Sequence, residues 1–161
     1  MSTETFSVEV RFANLADSTA VADVINAAFS VERFFVQGNR ITVAGVESLM
    51  ERGRFLVAEA SGAMVGCVYL EPMGERAYLG LLSVDPSRQK LGLGRRLMEE
   101  AENQARSDGC KFVDLKIVNL RTELLPFYGS LGYDETGTQA FPEEVSTSMP
   151  CHFILMSKSV A

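Results

Sequence analysis

Residues 84–97 read Val-Asp-Pro-Ser-Arg-Gln-Lys-Leu-Gly-Leu-Gly-Arg-Arg-Leu. Asp85-Pro86-Ser87 breaks the apolar strand that ends at Val84, and a helical pattern starts at Gly92. Because they lack a Cβ, Gly92 and Gly94 let the backbone pass close to a ligand. The first-turn amides of a helix have no internal acceptor and, together with the helix dipole, favour an anion. The stretch therefore predicts a cradle for a pyrophosphate at a strand-to-helix junction.

The charges around this junction support the same prediction. Lys90, Arg95 and Arg96 concentrate positive charge in a chain whose net charge is −6. The sequence has no Gly-Lys-Ser/Thr ending, which excludes the P-loop of nucleoside triphosphatases. The dinucleotide fingerprint needs a third glycine, and Leu97 stands in its place. By itself, the glycine pair is also typical of a tight turn with solvated basic residues.

Alternating and helical patterns place the junction within a longer series of elements. Asp17 or Ser18, and then Thr42, are candidate helix caps, and Ser61-Gly62 is typical of a hairpin turn. Gly132 stops a short helix downstream. Strands are predicted at residues 8–12, 55–60, 64–71, 77–84, 112–117, 133–138 and 152–158, and helices at residues 18–29, 42–50, 92–107 and 124–131.

The resulting order is β-α-α-β-β-β-α-β-α-β-β. It predicts an α/β (α+β) fold, with one mixed, mainly antiparallel sheet of about seven strands flanked by about four helices. The sequence has no repeat, low-complexity tract or Gly/Ser linker. We therefore expect residues 1–161 to form a single domain.

Composition and charge exclude several classes of protein. A net charge of −6 argues against a nucleic-acid partner, which needs a basic footprint, and it allows a cationic substrate such as an amine. No apolar run reaches the roughly 18 residues of a membrane helix. The polar stretch from Met1 to Thr5 lacks the charged-then-apolar plan of a secretory signal. We expect a cytoplasmic protein that binds no membrane.

The cysteines and the single histidine predict no metal site and no disulfide framework. Cys67, Cys110 and Cys151 are far apart, and His152 is the sole histidine of the sequence. We expect Cys67 and Cys110 to be small buried hydrophobes. Cys151 and His152 are sequence neighbours where a strand is predicted to begin, and neighbours on a strand point to opposite faces, which argues against a thiol–imidazole nucleophile.

Two segments resemble those of a known family. Residues 89–94 fit Gln/Arg-x-x-Gly-x-Gly/Ala, the coenzyme-A-binding signature of the GCN5-related N-acetyltransferases (GNAT). Residues 127–133, Phe-Tyr-Gly-Ser-Leu-Gly-Tyr, resemble the second conserved segment of that family at the expected distance. The order of elements is similar over nearly the whole chain. The resemblance implies a GNAT-like acyl-CoA N-acyltransferase fold and an acetyl-CoA-dependent acyltransferase.

The resemblance also implies where acetyl-CoA, the co-substrate, would lie. The backbone of the strand before the loop would pair with the pantetheine arm at Leu82 and Val84. A bulge in that strand would aim a backbone N–H at the thioester oxygen, and the next strand would splay away to leave a slot. The amides from Leu91 to Arg96 would take the pyrophosphate. The predicted acetyl-CoA contacts are Leu82, Ser83, Val84, Gln89, Lys90, Leu91, Gly92, Leu93, Gly94, Arg95, Arg96 and Arg121.

The chemistry implied by the resemblance centres on Tyr128, which matches the general acid of the family. A phenol of pKa about 10 is a reasonable donor to a thiolate whose acid has a pKa of about 8.5. Periodicity alone favours a core aromatic on a short helix. Some members carry a glutamate where Tyr78 stands, so the base is open: a water chain to Glu71 or another carboxylate, or solvent. Arg121 replaces an asparagine and could contact cofactor phosphates, the substrate or solvent.

The acceptor is the least defined part of the prediction. The main hypothesis is a primary amine of a small or amino-acid-like molecule. The alternatives are a protein lysine or N-terminus, or a non-catalytic acyl-CoA-binding module. We expect a monomer or homodimer. Aromatic and acidic residues that could form the acceptor wall, or an ordinary surface, are Glu32, Phe34, Phe35, Phe141, Glu143, Glu144 and His152.

Overall fold

A seven-stranded mixed sheet runs through the computed structural model, which describes residues 7–89 and 91–161. The spatial order is β1-β2-β3-β4-β5-β7-β6, and neighbours are antiparallel except for β4 and β5. The predicted order of strands and helices is confirmed. The strands are β1 (Val8–Phe12), β2 (Arg54–Ala60), β3 (Ala63–Met73), β4 (Arg76–Val84), β5 (Phe112–Val118), β6 (Asp134–Ala140) and β7 (His152–Ser159).

Four α-helices cover the two faces of the sheet in the described part of the chain. None of the helices described is both long and apolar enough to cross a membrane. They are α1 (Ser18–Phe29), α2 (Val43–Met50), α3 (Leu93–Ser107) and α4 (Leu124–Ser130).

The starts of the first two helices differ in how well the sequence predicted them. The Thr42 side chain accepts a hydrogen bond from the Gly45 amide, so the predicted cap of α2 is confirmed. For α1 the predicted side-chain cap by Asp17 or Ser18 is wrong. The Asp17 carboxylate instead pairs with Arg11, at 2.8 Å, and accepts from the Asn14 amide. The Ser18 hydroxyl donates to a backbone carbonyl.

Two hydrophobic clusters fix the layers around the sheet. One, the α1 cluster, joins α1 and α2 to one face through residues such as Ile25, Val46 and Tyr69, all nearly inaccessible. The other, the α3 cluster, joins α3 and α4 to the opposite face and includes Leu97. Cys67 and Cys110 lie in these clusters as buried residues, as predicted. Burial of this apolar surface is the main stabilising contribution of both layers.

A buried polar network holds α3 against the far side of the sheet. The Glu102 carboxylate is 4% exposed. It accepts hydrogen bonds from the Tyr133 hydroxyl and from the Lys158 ammonium, both at 2.8 Å. Because a buried carboxylate without partners would be costly, these two contacts stabilise the position of α3. The N-terminus of α3 is thereby fixed relative to β4.

The parallel pair β4–β5 opens the sheet at one end. The two strands pair only at Arg76–Phe112, Ala77–Val113 and Tyr78–Asp114. Beyond this point β4 bulges against β3, and Leu81 has a φ of 56°, which is unusual for a residue other than glycine. The predicted bulge and the splayed slot next to it are confirmed. The slot is where the functional side chains meet.

Candidate active site

A cavity of about 940 Å³ occupies the slot between β4 and β5. Its volume is that of a site for a small molecule or cofactor. Leu115 and Ile117 of β5 belong to the α3 cluster, so Lys116 between them faces α1. Tyr78 of β4 packs against the α1 cluster. We call the part of the cavity beside the N-terminus of α3 the α3 half, and the part beside the C-terminus of α1 the α1 half.

The start of α3 forms one wall of the α3 half. Gly92 precedes the helix with a φ of 78°, a left-handed conformation that favours glycine. The Arg96 amide donates to the Gly92 carbonyl, so the amides of residues 93–95 precede the first intrahelical bond. Arg88 and Arg95 line the same wall. These amides and guanidinium groups together favour an anion. Of the two arginines, only Arg95 was among the predicted cations.

Gly94 lies where this polar wall meets an apolar one. A Cβ built on Gly94 would lie 3.6 Å from Phe127 Cζ, 3.8 Å from Val84 Cγ2 and 3.9 Å from Leu82 Cδ2. All four residues line the cavity. A methyl group fits at this position, whereas a longer side chain would have to enter the cavity.

The unpaired edge of β4 forms the floor of the slot. The Asp85 amide donates to the Val65 carbonyl of β3 at 2.8 Å. Neighbouring amides of a strand point to opposite edges, so the Val84 amide points into the slot. At the bulge, the Tyr78 ring covers Gly80 so closely that a Cβ there would lie 2.7 Å from the Tyr78 hydroxyl. Gly80 is therefore needed for Tyr78 to lie along its own strand.

Tyr128 lies between the two halves. Its ring packs edge-to-face on Phe127 and Tyr133, with ring centroids 5.0 Å and 6.0 Å apart. Within the described residues its hydroxyl has no hydrogen-bond partner, yet the oxygen is not sealed from solvent. Burial raises the pKa of the phenol, an effect that the charge of Arg121 opposes. Tyr128 is therefore a protonated donor with an open hydroxyl facing the cavity.

A buried ion pair between Glu32 and Arg121 closes one end of the α1 half. The Arg121 Nη1 and Glu32 Oε2 atoms are 3.3 Å apart, and the side chains are 18% and 12% exposed. Arg121 also contacts Glu123 at 3.5 Å. Burial raises the pKa of Glu32, and the charge of Arg121 acts in the opposite direction. The solvent-exposed alternative for Arg121 is wrong, because its partners hold it inside the cavity wall.

Aromatic rings and two further cations complete the α1 half. Arg40 lies over the Phe29 ring, 5.6 Å from its centroid, and Lys116 lies over Phe153 at 4.6 Å. Phe141 stacks against Phe153 with centroids 4.6 Å apart. Burial, and then the charge of Arg40, lower the pKa of Lys116. This half combines an apolar surface with charges of both signs.

The structure brings together most of the residues predicted to contact acetyl-CoA. The Ser83 hydroxyl points elsewhere and donates to the Leu81 carbonyl at 2.8 Å. Leu91 is exposed, and Arg96 lies on the outer face of α3. Lys90 lies outside the described residues. The predicted residues that line the cavity are Leu82, Val84, Gln89, Gly92, Leu93, Gly94, Arg95, Arg121 and Tyr128.

Only some of the residues predicted to form the acceptor wall line the cavity. Glu32, Phe141 and Glu144 line the cavity. Phe34 and His152 are exposed, and Phe35 is buried in the protein. The predicted wall did not include Phe29, Arg40 or Lys116, because their spacing indicates only a core face, a loop and a strand. Glu71, one suggested source of the base, accepts from the Tyr69 hydroxyl and lies outside the cavity lining.

Comparisons with known proteins give the family. The sequence model described as "Acetyltransferase (GNAT) family" matches residues 24–133. The chain is 31% identical over 147 residues to phosphinothricin N-acetyltransferase of Streptomyces viridochromogenes, an alignment that covers 86% of this chain and 80% of that protein.

Solved structures show the same fold at low sequence identity. The ribosomal-protein-S18-alanine N-acetyltransferase from Escherichia coli has a TM-score of 0.79 and 19% identity, over 96% of this chain and 95% of that one. The protein yncA from Salmonella typhimurium, solved with acetyl-CoA, has a TM-score of 0.76 and 19% identity, over 96% and 94%. The chain belongs to the GNAT family of acetyltransferases, and acetyl-CoA is its co-substrate.

Proposed function

We propose that the enzyme transfers an acetyl group directly from acetyl-CoA to a primary amine of a small, amino-acid-like molecule, with Tyr128 as the general acid. One observation carries this proposal. A single cavity joins the N-terminus of α3 to the α1 half, and the open hydroxyl of Tyr128 lies between them. The relative from Streptomyces viridochromogenes, which by its name acetylates phosphinothricin, supports a small-molecule acceptor.

The residues of the α3 half fit acetyl-CoA, which when bound supplies an acetyl group activated as a thioester. The first-turn amides of α3, with Arg88 and Arg95, would hold the pyrophosphate. The unpaired edge of β4 at Leu82 and Val84 offers backbone groups to the amide-containing pantetheine arm. Phe127 provides an apolar wall on the other side.

The proposed reaction needs two proton transfers at the protein. The nitrogen lone pair of the neutral amine attacks the acetyl carbonyl carbon, the C–N bond forms and the C–S bond breaks. Tyr128 donates its hydroxyl proton to the departing sulfur, and the nitrogen loses a proton as it becomes an amide. Holding both reactants in one cavity supplies proximity. Because burial raises the pKa of Tyr128, its hydroxyl is protonated in the resting enzyme and has a proton to donate.

Glu32 is the best placed carboxylate to accept the amine proton. Its side chain is buried in the α1 half, and burial raises its pKa above that of an ordinary glutamate. A carboxylate whose pKa is moved toward the working pH is a better general base. Arg121 orients the carboxylate through its 3.3 Å contact. Tyr78 stands where some members of the family carry a glutamate, and it has no carboxylate. We therefore include Glu32 in the proposal as the general base.

A Glu32→Gln variant tests this assignment. We expect kcat/KM to fall by roughly 10²-fold or more, which is the contribution typical of a general base. Since the base acts when deprotonated, the parent enzyme should lose activity as the pH falls through the raised pKa of Glu32. The variant should lose that acidic limb and keep only the titration of the amine itself. Steady-state rates between pH 5 and pH 9 measure both effects.

The matched control is Glu144→Gln, which removes an exposed carboxylate that lines the same cavity. We expect its pH profile to follow that of the parent enzyme. An unchanged acidic limb in Glu32→Gln would show that Glu32 is not the base.

The alternative acceptor is a protein lysine or N-terminus. The Escherichia coli neighbour with that kind of acceptor shares only the fold at 19% identity, so it does not favour the alternative for this chain. Membership of an acetyltransferase family argues against the alternative of a non-catalytic acyl-CoA-binding module. A cytoplasmic location and a monomeric or homodimeric state stay predictions.

An acceptor screen tests the proposed function directly. Release of the coenzyme A thiol is followed with a thiol reagent across small amines, amino acids, phosphinothricin, and peptides with free lysines or N-termini. We expect turnover with small amines and little with peptides. Turnover confined to peptides would overturn the small-molecule proposal.

A further inference from the structure

Two cations in the α1 half have no ion-pair partner within residues 7–89 and 91–161. Arg40 lies in the loop before α2, and Lys116 lies on β5, so distant parts of the chain bring them to one cavity. In the described part of the chain, Arg40 lies over the face of Phe29 and Lys116 lies over the face of Phe153. A cation over an aromatic face keeps its charge available to a further, negatively charged group.

The acidic groups of the α1 half either pair with Arg121 or are exposed. Glu32 and Glu123 both pair with Arg121, at 3.3 Å and 3.5 Å. The Glu144 side chain lies on the loop after β6 and is exposed. The charge of Arg40 also reaches Glu32 and Lys116. Arg40 and Lys116 are both exposed at the cavity surface, and their like charges repel one another, a repulsion that a bound anion would relieve.

We propose that Arg40 and Lys116 form a subsite for an anionic group carried by the acceptor itself, a carboxylate or a phosphorus oxyanion. The inference rests on the proposed function and narrows its substrate to zwitterionic amines. The apolar walls of Phe29, Phe141 and Phe153 suit the carbon skeleton that links the two charges. Glu32 lies within the same half, where the ammonium end would reach it before deprotonation.

The pyrophosphate of acetyl-CoA does not compete for this subsite in the proposed arrangement. The amides and arginines that would hold it lie in the α3 half. Lys116 faces away from that side, because its neighbours Leu115 and Ile117 belong to the α3 cluster. The two cations therefore serve the acceptor rather than the co-substrate.

The test compares acceptors that differ in the anionic group. L-leucine is measured against L-leucinamide, and 2-aminoethylphosphonate against ethanolamine, so that the two pairs separate carboxylate from phosphonate recognition. We expect the anionic member of at least one pair to be favoured roughly tenfold or more in kcat/KM. That is the effect of one hydrogen bond to a charged group.

Arg40→Gln and Lys116→Gln should remove this preference. Each change should raise KM for the anionic acceptor about tenfold to hundredfold and leave the neutral acceptor nearly unchanged. Lys116→Arg should restore part of the preference. The matched control is Lys111→Gln, which removes an exposed lysine just before β5. Melting temperatures with and without acetyl-CoA check that each variant folds and binds the co-substrate.

The outcomes separate this inference from the proposed function. Turnover of the neutral amine equal to that of its anionic partner, in both pairs, overturns the anionic subsite alone. An equal loss for both members in the glutamine variants does the same. If no small amine is acetylated while acetyl-CoA still raises the melting temperature, the proposed function fails and this inference fails with it.

Discussion

Replacing Tyr128 with phenylalanine should lower kcat by roughly 10²–10⁴-fold, the contribution typical of a general acid, with little change in KM. The hydroxyl has no hydrogen-bond partner among the described residues, so its removal breaks no hydrogen bond within them. The ring stays in its edge-to-face packing with Phe127 and Tyr133. The melting temperature, and its increase with acetyl-CoA, should therefore match the parent protein. Steady-state rates and a thermal melt measure the two effects.

Tyr133→Phe is the matched control for this prediction. The Tyr133 hydroxyl donates to the buried Glu102, so its loss should lower the melting temperature and leave kcat nearly unchanged. The pH dependence gives a second check. An acid works while protonated, and burial raises the pKa of Tyr128, so an alkaline loss of activity due to Tyr128 should begin above the ordinary tyrosine value of about 10. Unchanged turnover in Tyr128→Phe would show that another group protonates the thiolate.

Replacing Gly94 with glutamate should abolish acetyl-CoA binding. The side chain would enter the cavity beside Phe127 and Val84. Its carboxylate would repel a pyrophosphate at the proposed position by the start of α3. Acetyl-CoA at 100 times its Kd should stabilise the parent protein by about 2.7 kcal/mol. For a chain of this size, that corresponds to an increase in melting temperature of roughly 5–11 °C. The variant should show no increase in a thermal melt.

Gly94→Ala is the control, because its methyl group would meet only ordinary contacts at 3.6 Å or more. Gly94 lies inside α3 and has no left-handed backbone, so alanine should fold well and keep the acetyl-CoA effect. A normal increase in Gly94→Glu would contradict the assignment of the α3 half to the co-substrate. Loss of the increase in both variants would indicate a damaged helix rather than a blocked site.

The strand, turn and helix that carry the proposed acetyl-CoA site were predictable from sequence because their signals are local. The glycine pair at Gly92 and Gly94, the turn before it and the periodicity of α3 all fall within about twenty consecutive residues. The strand order followed from apolar alternation, which is strong in buried strands. Ser61 and Gly62 both have positive φ, as the predicted hairpin turn requires.

The acceptor part was not predictable because its contacts join distant residues. Glu32 and Arg121 are 89 positions apart, and their pairing depends on how α1 packs on the sheet. The predicted Asp17 cap was wrong for a related reason. The Asp17 carboxylate pairs with Arg11 of β1, a contact between two elements that the local pattern does not indicate. Lys116 looked like an ordinary solvent-facing position of a strand. Only the splaying of β5 from β4 places its side chain in the cavity.

The short parallel pairing of β4 and β5 has a further consequence for the solution behaviour of the protein. An unpaired strand edge normally offers a template on which other chains can add and aggregate. Here the open edge of β4 faces inward, between β5 and the helices α3 and α4, rather than outward at the margin of the sheet. The fold can thus leave the backbone N–H and C=O groups of this edge unpaired without exposing them to the strands of other protein molecules.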